Sequence, residues 1–166
     1  MMREGPVALR PMAADDAEPL LAIHERPEVR AWWGAPVAGF PFDDDEATRF
    51  TVLVDDRVAG LIQFYEEDEP EFRHATIDVF LDPGVTGRGH GTAALRLLVR
   101  HLVEERGHHR ITIDPAVDNA AAVRSYEKAG FRRVGTLEAA WRDEDGRWRD
   151  LLLMEQVDRG RLGAPG

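Results

Sequence analysis

The chain has 166 residues, 43% of them apolar and 31% charged, the size and balance of one globular domain with a buried core. It has no cysteine, which excludes disulfides, thiolate metal sites and a cysteine nucleophile, and its six histidines show no HxxxH spacing that would suggest a metal. Against 21 Lys and Arg stand 31 Asp and Glu, a formal net charge of −10 that repels nucleic acid and anionic membranes and either attracts polycations or simply keeps the chain soluble.

No apolar run approaches the ~20 residues of a membrane span. The opening "MMREGPVALRPM" lacks the apolar stretch of a secretory signal, so the expected location is cytoplasmic. One domain is expected over residues 1–158, with a disordered tail over 159–166.

In chain order, "VALRPM" (7–12) predicts a short strand closed by Pro11. A helix follows, capped by Asp15 or Asp16, with Leu20, Leu21 and Ile23 on its apolar face. Pro27 ends it, and "EVRAWWGAP" predicts a second short helix or turn ending at Gly34. Residues 35–46 are a loop, and 49–67 a hairpin turning at "DDR". After the charged segment "EEDEPE" comes a strand over 72–83, with Thr76, Asp78 and Phe80 alternating on one face. The apolar positions 94, 95, 98, 99 and 102 have a helical period over 92–106. "HRITIDP" is a strand stopped by Pro115, "NAAAVRSYEKAG" a helix closed by Gly130, and the last two strands turn at "DEDG". The order β-α-α-β-β-β-α-β-α-β-β predicts an α+β fold, a mixed, mostly antiparallel sheet of about seven strands flanked by about four helices.

"TGRGHGT" (86–92) puts three glycines within five positions directly before a helix. It is not a Walker loop, because no Lys follows the last glycine, and its G-x-G-x-G spacing is not the dinucleotide fingerprint. Glycines let the backbone approach a ligand closely, and the free N–H groups of a helix's first turn favour an anion. Each such contact contributes about 0.3–1 kcal/mol, so several acting together suit a ligand with more than one phosphate. The alternative is a flexible hinge, which a regular amphipathic helix seldom follows at once.

"DVFLDPGVTGRGHGTAALRLL" resembles the acetyl-CoA motif of the GCN5-related N-acetyltransferases (GNAT): a strand, then R/Q-x-x-G-x-G/A, then a helix. "DNAAAVRSYEKAGFRRVG" is similar to that family's N-x-x-A-x-x-x-Y-x-x-x-G-F signature, with Asn119, Ala122, Tyr126, Gly130 and Phe131 in register. The resemblance covers most of the chain and implies the GNAT fold and an acetyl-CoA-dependent N-acetyltransferase. It implies that the backbone of Val79, Phe80 and Leu81 pairs with the pantetheine arm. Thr86 and the run Gly87, Arg88, Gly89, His90, Gly91 and Thr92 would cradle the pyrophosphate; Asn119 would bind the far side of the arm, and Tyr126 would face the sulfur. Thr86 stands where the family has Arg or Gln, and Arg88 is the candidate to replace that charge.

The segments "EVRAWWGAP", "GLIQFY", "TIDVFL" and "TIDPAVDNAAAVRSYEKAGF" together resemble the aminoglycoside 6'-N-acetyltransferases, a resistance activity, although the loop at 66–71 is shorter than theirs. Acyltransferases acting on the lysine-like amine of hydroxamate siderophores share part of the pattern and are the alternative. A CoA-binding module without catalysis is a third reading, which the presence of both Asp78 and Tyr126 disfavours. A small cationic amine is the expected partner, with no metal, nucleic acid or membrane; monomer and homodimer both remain open.

The residues fit such an acceptor. An alkyl ammonium of pKa near 10 has about one part in a thousand as free base at pH 7, equivalent to about 4 kcal/mol of barrier. A carboxylate that holds the cation and accepts its proton removes that barrier. Asp78, the lone acid in an apolar strand, is the candidate base. Asp114 and Asp150 are candidates for holding a second ammonium or hydroxyl. Glu66 to Glu69 either line the cleft mouth or form a solvated loop. Trp32 and Trp33 suit a pocket wall, one of them also filling core, and Gln63 and Tyr65 alternate toward the acceptor or pack in the core. Tyr126, with a free phenol pKa about 1.5 units above a thiol's, acts on the leaving thiolate more as hydrogen-bond donor than as full acid. His108 and His109 read as surface turn residues.

Overall fold

A computed structural model of the chain describes residues 1–163. Eight strands form one sheet: β1 (Met2–Glu4), β2 (Val7–Pro11), β3 (Thr48–Val54), β4 (Arg57–Glu67), β5 (His74–Leu81), β6 (Arg110–Ile113), β7 (Arg132–Arg142) and β8 (Trp148–Val157). Their spatial order is β1-β2-β3-β4-β5-β6-β8-β7. Every neighbouring pair is antiparallel except β5–β6, which is parallel, so the mixed α+β sheet expected from the sequence is present. The strand beyond the expected seven is β1, whose three residues are too few to show a period.

Four helices cover the sheet: α1 (Ala17–His24), α2 (Pro27–Trp33), α3 (His90–Glu104) and α4 (Ala120–Lys128). Successive strand side chains point to opposite faces, so β4 and β5 feed two cores. Ile62, Phe64 and Ile77 join the larger one, with Leu95, Leu98 and Leu102 of α3 and Val123 of α4. Leu61 and Phe80 join the smaller one, with Leu20, Ile23 and Val29 of α1 and α2. Pro27 does not merely end α1; it opens α2, where its missing N–H costs nothing.

Asp16, one of the two residues expected to cap α1, holds the N-cap position, but its side chain makes no capping bond to that helix. Its side chain is buried and accepts from Arg10 (2.6 and 2.8 Å), Thr51 (2.7 Å) and the Ala13 N–H (2.9 Å), tying α1 to β2 and β3. His108 is likewise fully buried, not a surface turn residue, with Nε2 2.5 Å from Glu66. Within the tail expected to be disordered, Arg159–Arg161 form one 3-10 turn capped by Asp158; residues 164–166 lie outside those described. No described helix is long and apolar enough to cross a membrane.

Candidate active site

The β5–β6 ladder is short because Pro115 stops β6 soon after Ile113, while β5 runs on to Leu81. The two strands pair only through Ala75–Ile111 and Thr76–Thr112 and then part. Asp82 N–H donates to the Ala59 carbonyl, which fixes Phe80–Leu61 and Asp78–Gln63 as the hydrogen-bonded pairs of the β4–β5 ladder. The backbone of Val79 and Leu81 therefore turns outward into the gap. Their N–H groups have no strand partner among the described residues, and the Val79 carbonyl accepts only from the Trp33 indole at 3.2 Å. An extended amide chain can pair along this edge as a further strand would.

The gap opens into a cavity of about 910 Å³. It is lined by Asp78, Val79, Phe80 and Leu81 of β5, by Trp32 and Trp33 of α2, and by Asp114 beyond β6. Thr86, Gly87, Gly89, Gly91 and Thr92 line it at the start of α3, and Asn119 and Tyr126 at α4. These residues, spread over nearly a hundred positions of sequence, are the greater part of the set expected to form the site.

At the α3 end the chemistry is that of the backbone. Gly87 (φ +78°) and Gly89 (φ +82°) are left-handed, and a Cβ at either would meet no atom within 4 Å; conformation alone asks for glycine there. The first helical bond runs from Ala93 N–H to the Gly89 carbonyl, which leaves the N–H groups of His90, Gly91 and Thr92 without intrahelical partners. The hydroxyls are engaged elsewhere: Thr92 with Ser125 and Thr86 with the Pro83 carbonyl. Asn119 caps α4 by accepting from Ala122 N–H, which leaves both donors of its NH2 end for a ligand. Arg88 is exposed and does not line the cavity, nor does the side-chain position of His90. The cations that do are Arg124 and Lys128, which sequence reading missed; their spacing with Ala121 and Ser125 on one α4 face was the available signal.

The other end is built from side chains. Trp33 is half-buried, edge-on to Phe80 at 4.9 Å, while Trp32 is 37% exposed beside it. Burial pushes the Asp78 carboxyl up from the ordinary range, and the hydrogen bond from Gln63 (3.3 Å) opposes that shift. Burial and then the charge of Asp78 raise Asp114 to about 6. Tyr126 is held well above an ordinary phenol by burial and by both carboxylates. Two carboxylates with raised pKa and a phenol that keeps its proton thus share one cavity.

Gln63 and Tyr65 do not reach the cavity wall. Gln63 is buried between Asp78 and Arg49, and Tyr65 donates to Asp44 at 2.6 Å. Asp150 is exposed and accepts from Ala139 N–H at 2.8 Å across the β7–β8 bulge; strand alternation turns its neighbour Leu151, not Asp150, to the cavity. Glu66 points to the opposite face from Tyr65 and pairs with Arg106 and His108, so it is not at the cleft mouth. Among the described residues no group of three or more His, Asp or Glu is clustered to hold a metal ion.

Residues 8–131 match the acetyltransferase (GNAT) family. An aminoglycoside N(6')-acetyltransferase type 1 of Klebsiella pneumoniae is 30% identical over 155 residues, covering 79% of this chain and 76% of the relative. The crystal structure of aminoglycoside acetyltransferase AAC(6')-Ib with coenzyme A and kanamycin superposes with TM-score 0.75 at 27% identity, over 93% of this chain and 96% of that one. Spermidine N-acetyltransferase of Vibrio cholerae, in complex with CoA and spermine, shares the fold at TM-score 0.81 and 21% identity, over 96% and 100% of the two chains. The chain belongs to the GNAT family and is an N-acetyltransferase that uses acetyl-CoA.

Proposed function

We propose that the acceptor is a small polycation, an aminoglycoside carrying a 6'-amino group, and that its acetylation confers resistance to the antibiotic. The observation that carries this reading is the pair Asp78 and Asp114, both buried enough to have raised pKa values, in one cavity beside Trp32 and Trp33. Buried carboxylates without a cationic partner are costly, and an acceptor with more than one ammonium supplies the missing partners. The Klebsiella relative, an aminoglycoside N(6')-acetyltransferase, supports the same choice.

In this reading the N–H groups of Val79 and Leu81 hold the amide chain of acetyl-CoA along the open edge of β5. The amides at 87–92 hold its phosphates, together with Arg124 and Lys128. Asp78 holds the acceptor ammonium and takes its first proton, freeing the nitrogen lone pair. As the N–C bond forms and the C–S bond breaks, the second amine proton ends on the departing sulfur. Tyr126 donates a hydrogen bond to that sulfur while negative charge gathers on it. Its raised pKa makes full proton donation still more uphill than for a free phenol, so hydrogen-bond stabilisation is its role.

Thiol release from acetyl-CoA with a panel of amines tests the acceptor. Kanamycin or tobramycin is expected to turn over with kcat/KM at least tenfold above spermidine and lysine-like amines. Turnover confined to lysine-like amines would transfer the assignment to the siderophore type, and preference for spermidine would transfer it to linear polyamines.

A further inference from the structure

Behind Asp78, on the side away from the cavity, runs a chain of hydrogen bonds whose direction is fixed. Arg49 on β3 is deeply buried for a cation, its side chain only 8% exposed. Its Nε meets Gln63 Oε1 at 2.8 Å, and its Nη1 donates to the Pro41 carbonyl and to Asp43 Oδ1 (2.8 Å). The Phe40 ring lies under the guanidinium at 5.5 Å. A guanidinium has donors only, so the amide atom facing it must be the oxygen of Gln63. The NH2 end then faces Asp78 Oδ2 (3.3 Å) and Tyr65 Oη (3.4 Å), while the Tyr65 hydroxyl donates to Asp44 at 2.6 Å. With Arg49 in place, turning the amide oxygen toward the carboxylate would break the Arg49–Gln63 bond as well as the contacts to Asp78 and Tyr65, so Arg49 adds to the preference for this orientation.

We propose that Arg49 is a positioning residue for Asp78: acting through Gln63, it keeps a donor aimed at the carboxylate and binds the loop Pro41–Asp44 to the same unit. This rests on the reading of Asp78 as the base. An aimed donor stabilises the ionised carboxylate against burial, so the form able to accept a proton persists to lower pH. Other ionisable groups that line the cavity with Asp78 are Asp114, Arg124, Tyr126 and Lys128 on and before α4 and Glu28 on α2, and Tyr65 stands beside it on β4. Arg49 is hydrogen-bonded to none of these groups, and only its charge reaches Tyr65; its own partners are Gln63, Pro41 and Asp43.

The experiment is the pH dependence of kcat/KM for the best acceptor of the amine panel, with acetyl-CoA saturating, in Arg49→Met, Gln63→Met, the double variant and Arg49→Lys. The acid limb is expected to move up by about one pH unit in each Met variant, a tenfold loss on the acid side. The double variant is expected to show the same shift and not the sum, because both changes break one chain. KM for acetyl-CoA stays unchanged, and Arg49→Lys, which keeps a cationic donor but not the planar fork, recovers part of the shift. Gln63→Met leaves Arg49 on Pro41 and Asp43, so it carries the test if Arg49→Met does not fold. An acid limb that stays in place while activity or melting temperature falls overturns the proposal, as do additive shifts. Asp78→Asn separates the two levels. An acid limb that survives it removes Asp78 as base and the proposal with it; a limb lost in Asp78→Asn and unmoved in the Met variants overturns the positioning role alone.

Discussion

The two ends of the cavity are made in opposite ways. At one end the groups open to a ligand are amide N–H groups of a single seven-residue segment, 86–92, with the open edge of β5. At the other they are side chains of α2, β5, the end of β6 and α4, brought together by the sheet. The first kind of site is sensitive to φ and tolerant of side-chain identity. Thr86 shows this: where the family has Arg or Gln, its hydroxyl bonds its own loop, while Arg124 and Lys128 bring positive charge from another element. The second kind tolerates small backbone shifts and depends on which atom each side chain ends in. A substitution should therefore separate cofactor from acceptor effects according to the end it touches.

The sharpest separation is expected at Asp78. Asp78→Asn keeps the shape and the place opposite Gln63 but cannot accept a proton, and general-base loss is worth about 10²–10⁴ in rate. The expected result is a kcat/KM for the acceptor lower by about a thousandfold, with acetyl-CoA affinity, measured by calorimetry, within about twofold of the parent. A comparable loss of acetyl-CoA affinity would break the division between the two ends. Tyr126→Phe comes next. One hydrogen bond to a developing thiolate is removed, so kcat should fall by about 10–100-fold with acetyl-CoA binding preserved. A kcat within about threefold of the parent would remove Tyr126 from the chemistry.

The same division explains what the sequence made legible. A backbone site is local: the glycines that must adopt positive φ and the helix they introduce lie side by side, so "TGRGHGT" could be read directly. Asp78 was legible for a related reason, being the one acid in an otherwise apolar strand. What depends on register was hidden. Nothing in "GLIQFY" says that Gln63 lies opposite Asp78 or that Arg49 lies opposite Gln63, and both pairings follow from the strands meeting in the sheet. For that reason Gln63 and Tyr65 were expected at the acceptor and instead stand behind Asp78. Asp150 was misplaced by one residue of strand alternation. His108 and Glu66, each a polar residue in a charged stretch, became a buried pair only because Glu66 sits at the end of β4 beside it.

Gly89→Ala examines the backbone end with a smaller expected effect. Its Cβ would clash with nothing, so the whole penalty is that of a left-handed alanine, about 1–2 kcal/mol. Acetyl-CoA affinity should fall by about tenfold, measured by calorimetry, while the ratio of kcat/KM values between two acceptors stays unchanged. Gly60→Ala offers a contrast within the same fold. Its Cβ would lie 2.2 Å from the Phe80 carbonyl, so the strand carrying the open edge must move, and both ends of the cavity should suffer together.

The mildest change is expected at Asp114, and it tests whether a carboxylate of the acceptor end exists for binding or for folding. Asp16 is the reference for a folding role: Arg10 first, with Ala13 and Thr51, holds it at about 2 against the opposing effect of burial, below its unfolded value, so it contributes stability above pH 4 that is lost as pH falls toward 2. Asp114 has the opposite sign. Raised to about 6, it binds a proton more tightly in the folded chain than in the unfolded one, so folding loses stability as pH rises from about 4 to 6. At pH 7 the buried charge costs about 1–3 kcal/mol, which Asp114→Asn removes. The variant should therefore melt higher than the parent at pH 7, while Asp16→Asn melts lower. Its acceptor KM should rise by about three- to tenfold, because an ammonium loses its counter-charge, and the increase in KM expected of the parent between pH 7 and 5.5, as Asp114 takes up a proton, should flatten. A carboxylate whose removal raises melting temperature and weakens only the acceptor is one kept for its ligand. A lower melting temperature with an unchanged acceptor KM would instead put Asp114 with Asp16, among the residues that hold the sheet together.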